Sequence, residues 1–139
     1  MTQTADAVAR IRALIGTESP PVEAIVEAGH LRRFAEAVGD ANPRWREEAP
    51  PTFLVALAEE IPRRPEFLEY GSGWLNASDR FEYHEPIKAG DRISSRTRLQ
   101  DAYEKQGTSG RLLFLVFVTD FTNQHGRSVA RVTGTRIRR

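Results

Sequence analysis

The sequence predicts an α+β domain in which a strongly curved antiparallel sheet wraps around one buried helix. Three observations carry that expectation. The second half of the chain holds four long strand-like runs joined by tight turns, as an antiparallel meander does. The first half instead spaces its apolar residues at helical intervals. Between the two lies a segment that is apolar almost all round, the pattern of a helix buried on every side.

Residues 5–15 put Val8, Ile11, Leu14 and Ile15 on one stripe, which predicts a short amphipathic helix closed by Gly16. Ser19-Pro20-Pro21 breaks it, and residues 22–26 read as a short strand. A second helix is expected over residues 29–38, with Leu31, Phe34, Ala35 and Val38 inward and Gly39 at its end. After the polar stretch 40–48, Pro50-Pro51-Thr52 restarts regular structure, with Thr52 as the N-cap of a helix over residues 53–61. Pro62 and Pro65 close that helix, whose Phe53, Leu54, Leu57 and Ile61 make it the central one. Past Gly71-Ser72-Gly73, strands are expected over residues 79–87, 91–103, 111–122 and 128–137. The third is apolar without interruption from Leu112 to Val118, so it should lie centrally with both faces covered. A curved antiparallel sheet around one helix is the hotdog arrangement, and its open sheet edge predicts a dimer.

Composition narrows the function classes. With 139 residues, 40% hydrophobic and 28% charged, the chain suits a single globular domain spanning 1–139. It has no cysteine, which excludes disulfides, a thiol nucleophile and cysteine-based metal sites. The three histidines, His30, His84 and His125, are too scattered for metal-ligand spacing, so no metal is expected. Twenty basic and 19 acidic side chains leave a net charge of +1, too balanced to imply nucleic-acid binding. No apolar run is long enough to cross a bilayer, and the N-terminal segment, interrupted by Asp6 and Arg10, lacks a signal-peptide core. A cytoplasmic protein is expected. The arginines of the tail, Arg131, Arg136, Arg138 and Arg139, read as a solvated strand end, with an anion contact as the alternative.

The segment Phe34-Ala35-Glu36-Ala37-Val38-Gly39-Asp40-Ala41-Asn42-Pro43-Arg44-Trp45 resembles the signature of MaoC-like hydratases and dehydratases. In that family a helix runs into Gly-Asp, any residue, Asn-Pro, any residue, His. Ala49-Pro50-Pro51-Thr52-Phe53 resembles the family's entry to its central helix. The run from Phe81 through Glu85-Pro86-Ile87 to Lys88-Ala89-Gly90-Asp91 resembles its strand and Pro-x-x-x-Gly-Asp turn. Thr122-Asn123-Gln124-His125-Gly126 resembles its last hairpin. The Ala-Pro-Pro-Thr-Phe entry points to the N-terminal subfamily, the fatty-acid-synthase-I-like dehydratase domains. The resemblance implies a hotdog fold and a thioester substrate, of coenzyme A or an acyl carrier, with no cofactor beyond it. It also implies a paired aspartate and histidine that add water to an enoyl thioester or eliminate it from a 3-hydroxyacyl one.

Two departures follow. The histidine position is Trp45, which has one N–H donor and cannot act as a base. Only nine positions separate Asp40 from Ala49, where the family carries a longer overhanging segment. Asp40 is therefore the candidate catalytic residue, against the plainer reading of a turn-forming side chain. Asn42, Trp45, Thr52, Phe53, Trp74 and His84 are the candidate substrate-binding residues. Thr52 and Phe53 enter through their backbone amides, which at a helix start would polarise a thioester carbonyl. The tryptophans enter as pocket walls or simple packing, and His84 otherwise as a surface residue. The expected role is a subunit that is weakly active or inactive alone and pairs with a catalytic MaoC-like hotdog. A homodimeric thioester or small-molecule binder, or an enzyme repurposed around Asp40 with Tyr83 or His84, stays open.

Overall fold

The computed structural model describes residues 3–58 and 61–139. Its centre is one five-stranded sheet, antiparallel throughout, formed by β1 (Val22–Ile25), β2 (Trp74–Tyr83), β3 (Arg92–Gly107), β4 (Gly110–Thr122) and β5 (Ser128–Arg138). Their order across the sheet is β1-β3-β4-β5-β2. Two helices, α1 (Gln3–Arg12) and α2 (Ala28–Ala37), and three short 3-10 turns complete the described elements. The α+β class and the curved sheet of the hotdog arrangement are thus as expected.

The covering layer is not. In place of a helix over 53–61 there is one 3-10 turn, Phe53–Ala56, and Val55 is 62% exposed rather than buried. Glu59 and Glu60 of the expected helix lie outside the described residues. Proline explains the shortening. Pro62 disfavours helical geometry at the residue before it, leaving too few residues to repay helix nucleation. The concave face of the sheet is covered piecewise instead. At one end, Leu31 of α2 packs with Phe53, Leu54, Ile93, Phe121 and Val129. At the other, Ile11 of α1 packs with Phe67, Leu99, Leu113 and Phe117.

Register settles which face of each strand looks inward. Leu113, Leu115, Phe117 and Phe121 of β4 are buried on the concave face. On the convex face Leu112, Phe114 and Val116 are only half-buried while Val118 is buried, so the expected cover on both sides holds only towards the end of the strand. β2 begins five residues before the expected start and stops four short of the expected end. It stops because His84 and Glu85 both donate their N–H to the Val129 carbonyl, which breaks the alternation, and Pro86 has no N–H to continue it.

The tail arginines correct the solvated reading most sharply. Arg136 and Arg138 are 5% and 2% exposed. Arg136 donates to Asp79 Oδ1 at 2.8 Å and to the Ser78 carbonyl at 3.1 Å. Arg138 donates to the carbonyls of Tyr70 (2.8 Å), Gly71 (2.9 Å) and Gly73 (3.2 Å), with its guanidinium 4.7 Å from the Trp74 ring centre. Burial holds the Arg138 guanidinium below the usual arginine range.

Near this clamp the Tyr70 hydroxyl donates to Glu104 at 2.9 Å, and Arg111 donates to the same carboxylate at 2.9 Å. Burial first, then the hydrogen bond to Glu104, pushes Tyr70 up to about 12. A folded value above the unfolded one means that the folded state keeps the proton longer. The stabilisation is complete below about pH 10 and is lost as pH rises towards 12. The expected loss across that window is about 3 kcal/mol. Urea titrations at several alkaline pH values should show it in the native sequence, and a flatter dependence in Tyr70→Phe.

Candidate functional site

One cavity, of about 320 Å³, opens where the segment after α2 meets the end of β2. Its walls include Trp45, Pro50, Leu54, Tyr83, His84 and Ile87. Backbone pairing makes this juxtaposition. Ala49 donates to the Ile87 carbonyl at 2.7 Å and Ala89 to the Glu47 carbonyl at 2.8 Å, so residues 47–49 lie alongside 87–89. Trp45 is thereby brought beside His84.

Asp40 is exposed and is not among the cavity's lining residues. Its Oδ1 accepts the Asn42 N–H at 3.0 Å, and Asn42 Oδ1 in turn accepts the Arg44 N–H at 3.0 Å. Both side chains serve the local backbone: Asp40 closes a turn, and Asn42 caps the 3-10 turn Pro43–Arg46. Trp45 is half-buried, and its indole nitrogen is buried without a hydrogen-bond partner. Arg44 lies 5.6 Å from the centre of that ring and pairs with Glu48 at 2.8 Å.

The amides at Thr52 and Phe53 are not free as expected. The Thr52 N–H donates to the Tyr83 hydroxyl at 2.9 Å, and the Phe53 N–H to the Pro50 carbonyl at 3.1 Å. Thr52 makes no side-chain cap; it sits at φ 71°, the left-handed region. Among the described residues it is the one non-glycine there. A β-branched side chain at positive φ is strained, at about 1–3 kcal/mol. Thr52→Gly should therefore raise thermal stability, by about 1 kcal/mol, which a melting curve would read.

Phe53 is fully buried and reaches the cavity only through its neighbours. His84 is exposed at the rim. Trp74 belongs elsewhere: it starts β2 beside Arg138 and packs edge-on against Phe67, 6.4 Å between ring centres. His30, expected at the surface, is half-buried and edge-on to Phe53 at 4.8 Å. The cavity thus gathers Trp45 and His84, places Thr52 one hydrogen bond away through Tyr83, and leaves out Asp40, Asn42 and Trp74. Tyr83, which the sequence offered only for a repurposed enzyme, is the contributor missing from the substrate-binding set, and it shares a strand face with Phe81. Those two rings stack, 6.4 Å apart and 8° from parallel. Among the described residues, no three His, Cys, Asp or Glu side chains gather closely enough to hold a metal. No described helix is long and apolar enough to cross a membrane.

A curved antiparallel sheet with a cavity where the dehydratase signature meets the sheet defines a hotdog domain of the dehydratase type. The model of the FAS1-like dehydratase domain region matches residues 13–132, and the chain belongs to that family. A UPF0336 protein of Saccharopolyspora erythraea is 31% identical over 92% of this chain and 90% of its own length. Another from Streptomyces coelicolor is 32% identical over 64% of this chain and 71% of its own. Among solved structures, the ChsH1–ChsH2 complex from Mycobacterium tuberculosis superposes with a TM-score of 0.78 at 20% identity, covering 99% of this chain and 96% of that one. The HadBC (3R-hydroxyacyl-ACP dehydratase) complex of the same organism gives 0.73 at 25% identity, covering 89% and 96%. A MaoC-like dehydratase gives 0.65 at 19%, over 91% of this chain and 42% of that one.

Proposed function

We propose that this chain is the non-catalytic hotdog subunit of an enoyl-thioester hydratase or 3-hydroxyacyl-thioester dehydratase. The observation that carries the reading is the state of the signature. Trp45 stands at the base position, and the Asp40 carboxylate is engaged by the Asn42 amide outside the cavity. Water addition at the 2,3-position needs a positioned base, and the signature's pair is not assembled there: His84 stands exposed at the rim, while Glu48 and Glu85 are paired with Arg44 and Arg127. A partner hotdog carrying the aspartate and histidine would supply it, while this chain contributes a wall of the acyl pocket. The relatives support a two-chain assembly, since the ChsH1–ChsH2 and HadBC structures are both named complexes. The sheet supports it too: β2 is a ten-residue edge strand with nothing paired on its outer side in the isolated chain. The substrate would be a thioester of coenzyme A or of an acyl carrier protein.

The test is hydration of a panel of enoyl-CoA thioesters by the purified chain, beside Asp40→Ala. Loss of a positioned acid–base group costs roughly a hundredfold to ten-thousandfold in rate. The chain alone should therefore show no turnover above background, and Asp40→Ala should change nothing. Turnover by the chain alone that disappears in Asp40→Ala would overturn the proposal.

A further inference from the structure

A second cavity, of about 260 Å³, lies on the concave face and shares only the Leu54 wall with the first. Phe81, Phe117, Phe121 and Val132 make most of its surface apolar. Thr119 and Asp79, however, also line it, and neither is accounted for by packing.

Thr119 is 8% exposed and Thr97 opposite it 5%. Their hydroxyl oxygens are 2.8 Å apart, so one proton is shared between them. Two hydroxyls carry two protons, and among the described residues the second meets no side-chain acceptor. When Thr97 donates, the spare proton belongs to Thr119, which faces the cavity. Water can meet that donor in the free protein, but an apolar group that displaced the water would leave it unmatched, at a cost of about 1–3 kcal/mol. A ligand oxygen would replace the water without that cost.

Asp79 provides the complementary group. Its Oδ1 takes the hydrogen bond from Arg136, and its side chain is 35% exposed. Space for the pair is kept by Gly134. A Cβ there would sit 3.0 Å from Asp79 Oδ1 and 3.2 Å from an Arg136 nitrogen. A glycine inside a strand marks such a close approach.

The axis of a ligand follows from β2. Tyr83 lines the first cavity, Phe81 and Asp79 the second, and all three project to the concave face. Four residues of strand span roughly 13 Å. A thioester held in the first cavity would lay its acyl chain across Phe81 into a space that is apolar at its walls and polar at Thr119 and Asp79.

We infer that the second cavity binds the distal acyl part of a thioester that carries a further hydroxyl well beyond the 3-position, and that Thr119 is the residue that selects the chain oxygenated there. The inference deepens the thioester reading and rests on it. A plain acyl chain would leave the buried donor unmatched, and sites built around a ligand hydroxyl discriminate against analogues that lack it.

The experiment measures, by calorimetry on the purified chain, binding of decanoyl-CoA and of hydroxydecanoyl-CoA isomers with the hydroxyl moved outward from the 5-position, with the 3-hydroxy isomer as a reference. One isomer should bind about tenfold tighter than decanoyl-CoA, the gain of one well-made hydrogen bond. Thr119→Val should bring the two to parity, and Thr119→Ser should keep the preference. Thr119→Ala serves as a second deletion, and melting curves identify the variants that fold. Equal binding across the whole series, or a preference that survives both deletions, would overturn the inference while leaving the thioester reading intact. Failure to bind any thioester, plain or hydroxylated, would instead sink that reading and the inference with it.

Discussion

Arg138→Ala is expected to lower the free energy of unfolding by about 3–5 kcal/mol, the largest single effect available outside the apolar core. The guanidinium is buried beside Trp74 and donates to three backbone carbonyls of the loop that leads into β2. Among the described residues no carboxylate pairs with it. Truncation therefore leaves the Tyr70 and Gly71 carbonyls without a donor, since that of Gly73 keeps the Arg139 N–H, and removes the ring contact of about 0.5–2 kcal/mol. The loss should appear in urea melts as a lower midpoint with an unchanged slope. Arg138→Lys retains the charge but offers a compact ammonium in place of a planar fork, so it should recover less than half of the loss. Full recovery by lysine would mean that charge, rather than the fork geometry, holds the loop.

Phe53→Ala should cost a similar amount, about 3–5 kcal/mol, by a different cause. The ring is fully buried, meets His30 and Phe34 edge-on at 4.8 and 5.3 Å, and anchors the 3-10 turn whose Leu54 lines both cavities. Removing it creates a hole that the strained Thr52 and the adjoining prolines can relax into only partly. Phe53→Leu should cost about 1–2 kcal/mol. Comparing these variants with Thr52→Gly would show whether the turn is held by its core anchor or by its backbone.

Much of the fold was legible because its pattern is periodic. The long strands announced themselves through runs such as Leu112 to Val118, and α2 through Leu31, Phe34 and Ala35. What the pattern missed was set by tertiary context. The stretch after Thr52 has the composition of a core helix, yet Val55 points out and the helix does not continue, because prolines limit it. Arg136 and Arg138 alternate as surface residues would, but the concave face turned them inward, where loop carbonyls and Asp79 receive them. At the site, the signature's position was readable, and so was the exchange of its base for Trp45. The direction of the Asp40 carboxylate was not, since an Asx turn and an active-site carboxylate have the same spelling. Thr119 and Gly134 gave no signal, because their meaning lies in a cross-strand partner and a close approach that only register supplies.

The two margins of the sheet are unequal. β1 closes one side with four residues, whereas β2 leaves ten open on the other, with its register broken between Asn76 and Ser78. That break divides the open margin into two short rulers that a mate can match in one frame only, since a slip by one residue would set its side chains on the wrong face. Asp79, Arg80 and Glu82 add charge along the longer ruler and discourage casual adhesion. The consequence concerns supply as much as structure. Under the proposed two-chain assembly, a cell making this polypeptide in excess would leave that margin uncovered, so the two chains should be produced in matched amounts.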